Sequence, residues 1–190
     1  ARTTCPYAVI HSFEPVPWIY SKLTSAFRSD KGFYAYQLAL SNASDDREFE
    51  INAGEYSSSL LPMRTDAIGV LPEIGPTGQR MHVNITTLDA WAEGKELPQP
   101  ILLKLDVEGN ELAALQGASL LLNRIDYVLT EISLIRMRNG QPKFQEITNF
   151  LTDRGFDLID VYPGMLDHRT GQAAWADVLF ARKPLVPSSQ

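Results

Sequence analysis

The sequence is poor in the residues that brace or charge a protein from outside. Its 190 residues include one cysteine, Cys5, so no internal disulfide can form. A chain without bridges suits a reducing compartment, and a cytoplasmic location is expected. Cys5, beside Pro6, reads as a half-buried structural thiol. Positive charge is also scarce, with 17 Lys and Arg against 23 Asp and Glu, for a net charge of -6. That balance argues against nucleic acid or an anionic membrane surface as partner, since both recruit basic patches. No apolar run approaches the roughly 20 residues that span a bilayer. Only three histidines are present, His11, His82 and His168, which leaves little for a nitrogen-ligated metal. What remains, 44% hydrophobic and 21% charged residues, fits one globular domain over 1–190 with a sizeable core.

Hydrophobic spacing predicts alternating strands and helices. Tyr7–Phe13 is a short β-rich run closed by Glu14-Pro15. From Pro17 onward Trp18, Ile19, Leu23 and Phe27 recur at helical spacing. Phe33–Leu40 is strand-like, and 47–51 alternates like an edge strand. Residues 70–79 read as a loop. Met81–Thr87 alternates again and leads into a short helix with Thr87 as its N-cap. Ile101–Val107 and Tyr127–Ile132 read as strands buried on both faces. Asn110–Leu122 and Phe144–Phe150 read as helices, the second closed by Gly155. Phe156–Tyr162 and Val178–Ala181 are two last strands, antiparallel at one edge because the turn between them is too short for a crossover. The expected class is α/β, with a mostly parallel sheet.

Charges interrupt those strands at telling places. Lys104, Asp106 and Glu108 alternate along one run and should share a face. Lys104 lies deepest, where an unpaired ammonium would cost several kcal/mol, so it should lie against Asp106 or Glu131. Ligands of open α/β sheets sit beyond the carboxyl ends of the strands, where Glu14, Asn42, Asp106, Glu108 and Glu131 fall. Glu14 suits the strand-end carboxylate that accepts hydrogen bonds from a ribose. Glu108 and Glu111 fit equally well as acids favoured at the start of a helix. Gly109 would let a ligand approach the backbone.

Several stretches, taken in series, are similar to the FkbM-like methyltransferases: HSFEPVPWIYSKL (11–23), ALSN (39–42), SSSLL (57–61), TTLDAW (86–91), LKLDVEGNELAALQGA (103–118), Glu131-Ile132 and DVLFARK (177–183). The resemblance implies a Rossmann-like class I methyltransferase sheet, S-adenosyl-L-methionine as cofactor, and O-methylation of a small molecule or sugar. It places Glu14 and Pro15 at the ribose, and Ser41 and Asn42 at the adenine edge. Asp106 falls at the sulfonium methyl and Glu108 in the substrate cavity, with Lys104 and Glu131 lining the catalytic centre. Asp106 is the first expectation for a general base and Glu131 the second. The family's Gly-rich cofactor loop has no counterpart here, so the sheet is expected to lack its first strand.

Two other readings stay open on sequence. Asp106, Glu108, Glu131 and His168 are ligands of the kind Mg²⁺ accepts, which would suit a metal-dependent hydrolase or transferase. A non-catalytic binding domain is the other. Residues 47–80 and 163–176, including Tyr56, Met63 and Trp175, are expected to shape the acceptor pocket. A homo-oligomer is compatible with all of these.

Overall fold

The structure is a computed structural model that describes residues 5–53, 57–67, 75–167 and 170–184. The chain opens with β1 (Ile10–Phe13), α1 (Pro17–Ala26), β2 (Phe33–Tyr36), β3 (Ala39–Leu40), β4 (Asp46–Asn52) and β5 (Pro76–Thr86). It continues with α2 (Leu88–Ala92), β6 (Leu102–Leu105), α3 (Glu111–Gln116), β7 (Tyr127–Ser133), α4 (Phe144–Thr152), β8 (Phe156–Pro163) and β9 (Trp175–Arg182). A turn of 3-10 helix, Leu121–Arg124, follows α3.

The strands form three sheets, ordered β1-β2, β3-β5-β4 and β6-β7-β9-β8. Pairs β1–β2, β3–β5 and β6–β7 are parallel; β4–β5, β7–β9 and β8–β9 are antiparallel. The expected mostly parallel sheet is therefore corrected to α/β with mixed sheets. Helix-bearing crossovers through α1 and α3 give the β1–β2 and β6–β7 parallel pairs, whereas β8 and β9 are too closely joined for one. β9 inserts between β7 and β8 rather than lying at the rim. Among the described residues β1 pairs only with β2, and β6 only with β7.

Packing follows the apolar pattern. The main core gathers Leu105, Leu115, Val128, Ile147, Leu151, Phe156, Val178 and Phe180 from β6, α3, β7, α4, β8 and β9. Each such side chain contributes on the order of 1.5–3 kcal/mol when taken from water. A smaller core, with Val16, Phe49, Ile51, Val83 and Ile85, closes the three-stranded sheet. Beyond Phe156, β8 is exposed along its length, with Leu158, Ile159, Val161 and Tyr162 all open to solvent.

Local signals explain the element ends. Thr87 caps α2 as expected, its side chain accepting from the Ala90 N–H at 3.0 Å. Asp89, one turn on, accepts from the N–H groups of Leu120 and Leu121 and so starts the 3-10 helix. The expected helix Asn110–Leu122 stops at Gln116 because Gly117 packs directly on the chain at Ser41. A side chain at 117 would overlap the Ser41 carbonyl oxygen and press on Thr87 Cβ at 3.2 Å. The ALSN, TTLD and LQGA stretches thus interlock at one point.

Other expectations need revising. Cys5 is exposed, not half-buried. The Pro76–Gln79 part of the expected loop is the first segment of β5. No helix among the described residues is long and apolar enough to cross a membrane.

Candidate functional site

β6 ends at Leu105, and the chain then makes an unusual turn. Glu108 adopts φ +55° and Gly109 φ +97°, two left-handed residues in succession. The glycine does this freely; for Glu108 it costs roughly 1 kcal/mol. Three groups hold the turn. Ser59 Oγ, from the segment after β4, donates to the Glu108 carbonyl at 2.7 Å. Glu111, 3% exposed at the start of α3, accepts from the N–H groups of Val107 and Gly109 at 3.2 and 3.0 Å. Arg138 Nη2 donates to Glu108 Oε2 at 2.8 Å.

Arg138 is the largest buried charge, its side chain 1% exposed. Its remaining donors reach the carbonyls of Ser57 and Leu61. It therefore pins the Ser57–Leu61 segment and the Glu108 turn to the loop after β7. Gly109 has to be small for this, since a Cβ there would stand 3.1 Å from Arg138 Cδ. Sequence reasoning missed Arg138, because an arginine before Asn139-Gly140 looks like a solvated turn residue. Its signal is indirect: the acid-rich DVEGNE stretch needs a cation that its own neighbours do not supply.

A cavity of about 640 Å³ opens between β1 and β6 and brings together Glu14, Pro15, Lys104, Asp106, Glu108 and Glu131. Lys104 pairs with Asp106 at 2.8 Å, one of the two partners expected. The expected depth is corrected: Lys104 and Asp106 side chains are 49% and 52% exposed, because among the described residues no strand covers β6 on that side. Glu14 accepts the Val16 N–H at 2.8 Å through Oε1, and burial raises its carboxyl pKa. Burial also raises Glu108, against the pull of Arg138.

Glu131 differs from these. Burial, then the charges of Glu108, Asp106, Glu111 and Asp177, push its pKa to about 8. Burial likewise lifts Glu111 to about 7, against its backbone donors. At neutral pH the Glu131 carboxyl holds its proton, while Asp106 stays beside its ammonium partner.

Ser41 and Asn42 do not share this cavity. They line a second one of about 360 Å³ with Arg47, Gln116, Arg136 and Glu146, on the other side of Asn110. Ser41 is buried against Gly117, and Asn42 donates to Gln116 Oε1 at 3.3 Å. Asn110, which borders both cavities, donates to the Leu40 carbonyl at 2.8 Å.

Expected pocket residues fare unevenly. Met63 is buried in a bridge to Arg138, and Trp175 packs with Ala67 and Met137; neither lines either of these two cavities. Ser58 and Leu60 supply the cavity wall from that segment instead. Tyr56 and His168 lie outside the described residues. Among the described residues no three His, Cys, Asp or Glu side chains converge as a metal site, so Asp106, Glu108 and Glu131 do not form one together. His11 is partly buried beside Tyr34, Tyr36 and Trp91, with Nδ1 3.1 Å from the Tyr36 hydroxyl, and His82 meets Asp46 at the surface.

Comparison with known proteins agrees with this stretch-by-stretch likeness. Over 126 residues, 66% of this chain, the sequence is 29% identical to a hexuronic acid methyltransferase, AglP, of Haloferax volcanii. The match covers 47% of that protein, so the chain spans about half the length of the curated relative it matches. No solved structure matches. Residues 5–158 match the methyltransferase FkbM domain, and the chain belongs to that family of methyltransferases.

Proposed function

We propose that the cavity between β1 and β6 binds S-adenosyl-L-methionine and that the domain methylates a hydroxyl oxygen of a carbohydrate. The observation that carries this reading is the convergence of Glu14, Asp106, Glu108 and Glu131 on one cavity, each at or past the end of a strand or within one. The sheet order supports it. β2-β1 and β6-β7-β9-β8 read as the two flanks of one Rossmann-like sheet whose carboxyl-end rim carries the acids. A strand between β1 and β6 would fill the apolar end, lined by Ile10, Phe13 and Leu105, and leave the acidic end open.

The residues fit the cofactor's chemistry. When bound, S-adenosyl-L-methionine supplies an already activated methyl group on a sulfonium. Glu14 keeps Oε2 free to accept from ribose hydroxyls, since only Oε1 is taken by Val16 N–H. The acidic rim favours a cation over a neutral ligand. Asp106, held by Lys104, faces the same space and helps orient the reactants. The proton acceptor is better assigned to Glu131 than to Asp106. Its carboxyl has no cation beside it among the described residues, and once ionised by an incoming cation it has the proton affinity to take a proton back at neutral pH. A sugar acceptor is supported by the name of the Haloferax volcanii relative. Calorimetric titration with S-adenosylhomocysteine tests the reading. Binding should be seen and should weaken about tenfold or more in Glu14→Ala; equal affinity of the two chains would remove Glu14 from the ribose site.

A further inference from the structure

Every acid lining the cavity except one has a counter-group, and so does Glu111 behind it. Asp106 has Lys104 at 2.8 Å, Glu108 has Arg138 at 2.8 Å, Glu14 has the Val16 N–H, and Glu111 has two backbone N–H groups. Glu131 has neither a cation nor a hydrogen-bond donor on its carboxyl group among the described residues.

Its surroundings are anionic on each side. From β6 comes Asp106, one step past the Leu105–Thr130 pair and so level with Glu131. From the turn come Glu108 and Glu111, and from β9 comes Asp177, the direct cross-strand partner of Glu131. β1 adds Glu14 and His11 at the far wall. The two cations nearby, Lys104 and Arg138, are already committed to Asp106 and Glu108. Glu131 also lines the cavity and is partly open to it. A carboxyl in such a place ionises at neutral pH only when positive charge enters.

We propose that Glu131 distinguishes a cationic donor from its neutral product by exchanging its proton for the incoming positive charge. The proposal rests on the donor reading of this same cavity. On binding, the Glu131 O–H bond ionises, the proton leaves to solvent, and the carboxylate faces the new cation. When methyl transfer discharges that cation, the acceptor hydroxyl sheds one proton, and the Glu131 carboxylate takes it up. Protons and charge balance over the cycle, with no further reactant. The thioether product then faces a neutral carboxyl that no longer holds it by charge. Glu131 would thus be a specificity-determining residue as well as the proton acceptor.

The test is a proton count. S-adenosyl-L-methionine and S-adenosylhomocysteine are each titrated calorimetrically into the chain at pH 7, in two buffers of different ionisation enthalpy. The donor should release close to one proton per molecule bound, and the product about none. Donor affinity should climb about tenfold per pH unit between pH 6 and 8, while product affinity stays flat. In Glu131→Gln both the release and the slope should vanish. Should that variant not fold, the carboxyl carbon of Glu131 in the unaltered chain gives the same information by NMR. It should titrate near pH 8 in the free protein and well below that with donor bound. Equal proton counts for the two ligands would overturn the exchange and leave the donor reading intact. Proton release that persists in Glu131→Gln would assign it to another group and overturn the proposal too. No binding of either nucleoside would overturn both.

Discussion

Replacing Arg138 by methionine removes the cation that pairs with Glu108 and leaves most of the buried volume filled. The arginine side chain is 1% exposed and Glu108 24%, so solvent cannot replace what is lost. Breaking a buried pair from one side costs about 3–5 kcal/mol. Two carbonyls, Ser57 and Leu61, also lose their donor, at about 1–3 kcal/mol each if water cannot reach them. Against that, burial already raises the Glu108 carboxyl, so it can take a proton and shed much of its charge penalty. The net expectation at pH 7 is a loss of about 3 kcal/mol or more by equilibrium urea unfolding. Arg138→Met combined with Glu108→Gln should cost less than the two single changes added together, by about 1–3 kcal/mol. The Arg138→Met loss should also shrink on acidification, as the Glu108 carboxyl, raised by burial, takes up its proton in the folded chain. A loss below 1 kcal/mol, or one that does not shrink on acidification, would refute the idea that this pair holds the turn.

Gly117→Ala puts a methyl group on the Ser41 carbonyl and should lower stability by about 2 kcal/mol or more, read as a fall in Tm; an unchanged Tm would mean the two segments part without cost. The raised carboxyls of Glu131, about 8, and Glu111, about 7, bind protons more tightly folded than unfolded. Their stabilisation is full below about pH 4.5 and is lost as pH rises through 7 and 8. The difference in stability between the native chain and Glu131→Gln, followed by urea unfolding, should therefore fall by a few kcal/mol from pH 5 to 9; a flat difference would contradict a buried, uncompensated Glu131. Asp106→Asn, which frees Lys104, should reduce turnover on a sugar acceptor more than donor affinity, and steady-state kinetics with a binding titration separate the two.

Much of the strand and helix order was legible because apolar residues recur at two clean periods. Thr87 announced its cap, and Lys104 with Asp106 announced a pair, since both signals are local. What sequence concealed was set by distant contacts. The end of α3 at Gln116 depends on Ser41, some seventy positions away, pressing on Gly117. The long β5 contains Pro76 and Gly78, which read as loop, but its pairing with β4 overrides that propensity. Lys104 was expected deep because its strand is apolar; β6 instead has a side with no strand on it among the described residues, and burial depends on a neighbour that the strand's own residues do not encode. The acids of the cavity were found from their strand-end positions. Arg138, which holds one of them, was not, because its importance lies in burial by three separate segments.

Among the described residues β1 pairs only with β2 and β6 only with β7, and residues of both strands line one cavity. No carbonyl among the described residues pairs with the amides on the other side of either strand, so deuterium should enter Ile10–Phe13 and Leu102–Leu105 well ahead of the sandwiched β7 and β9. Unsatisfied ladders also recruit any extended peptide at hand, including another copy of themselves. Handling this chain at high concentration therefore invites edge-to-edge association, and a charged substitution facing the groove is the way to suppress it.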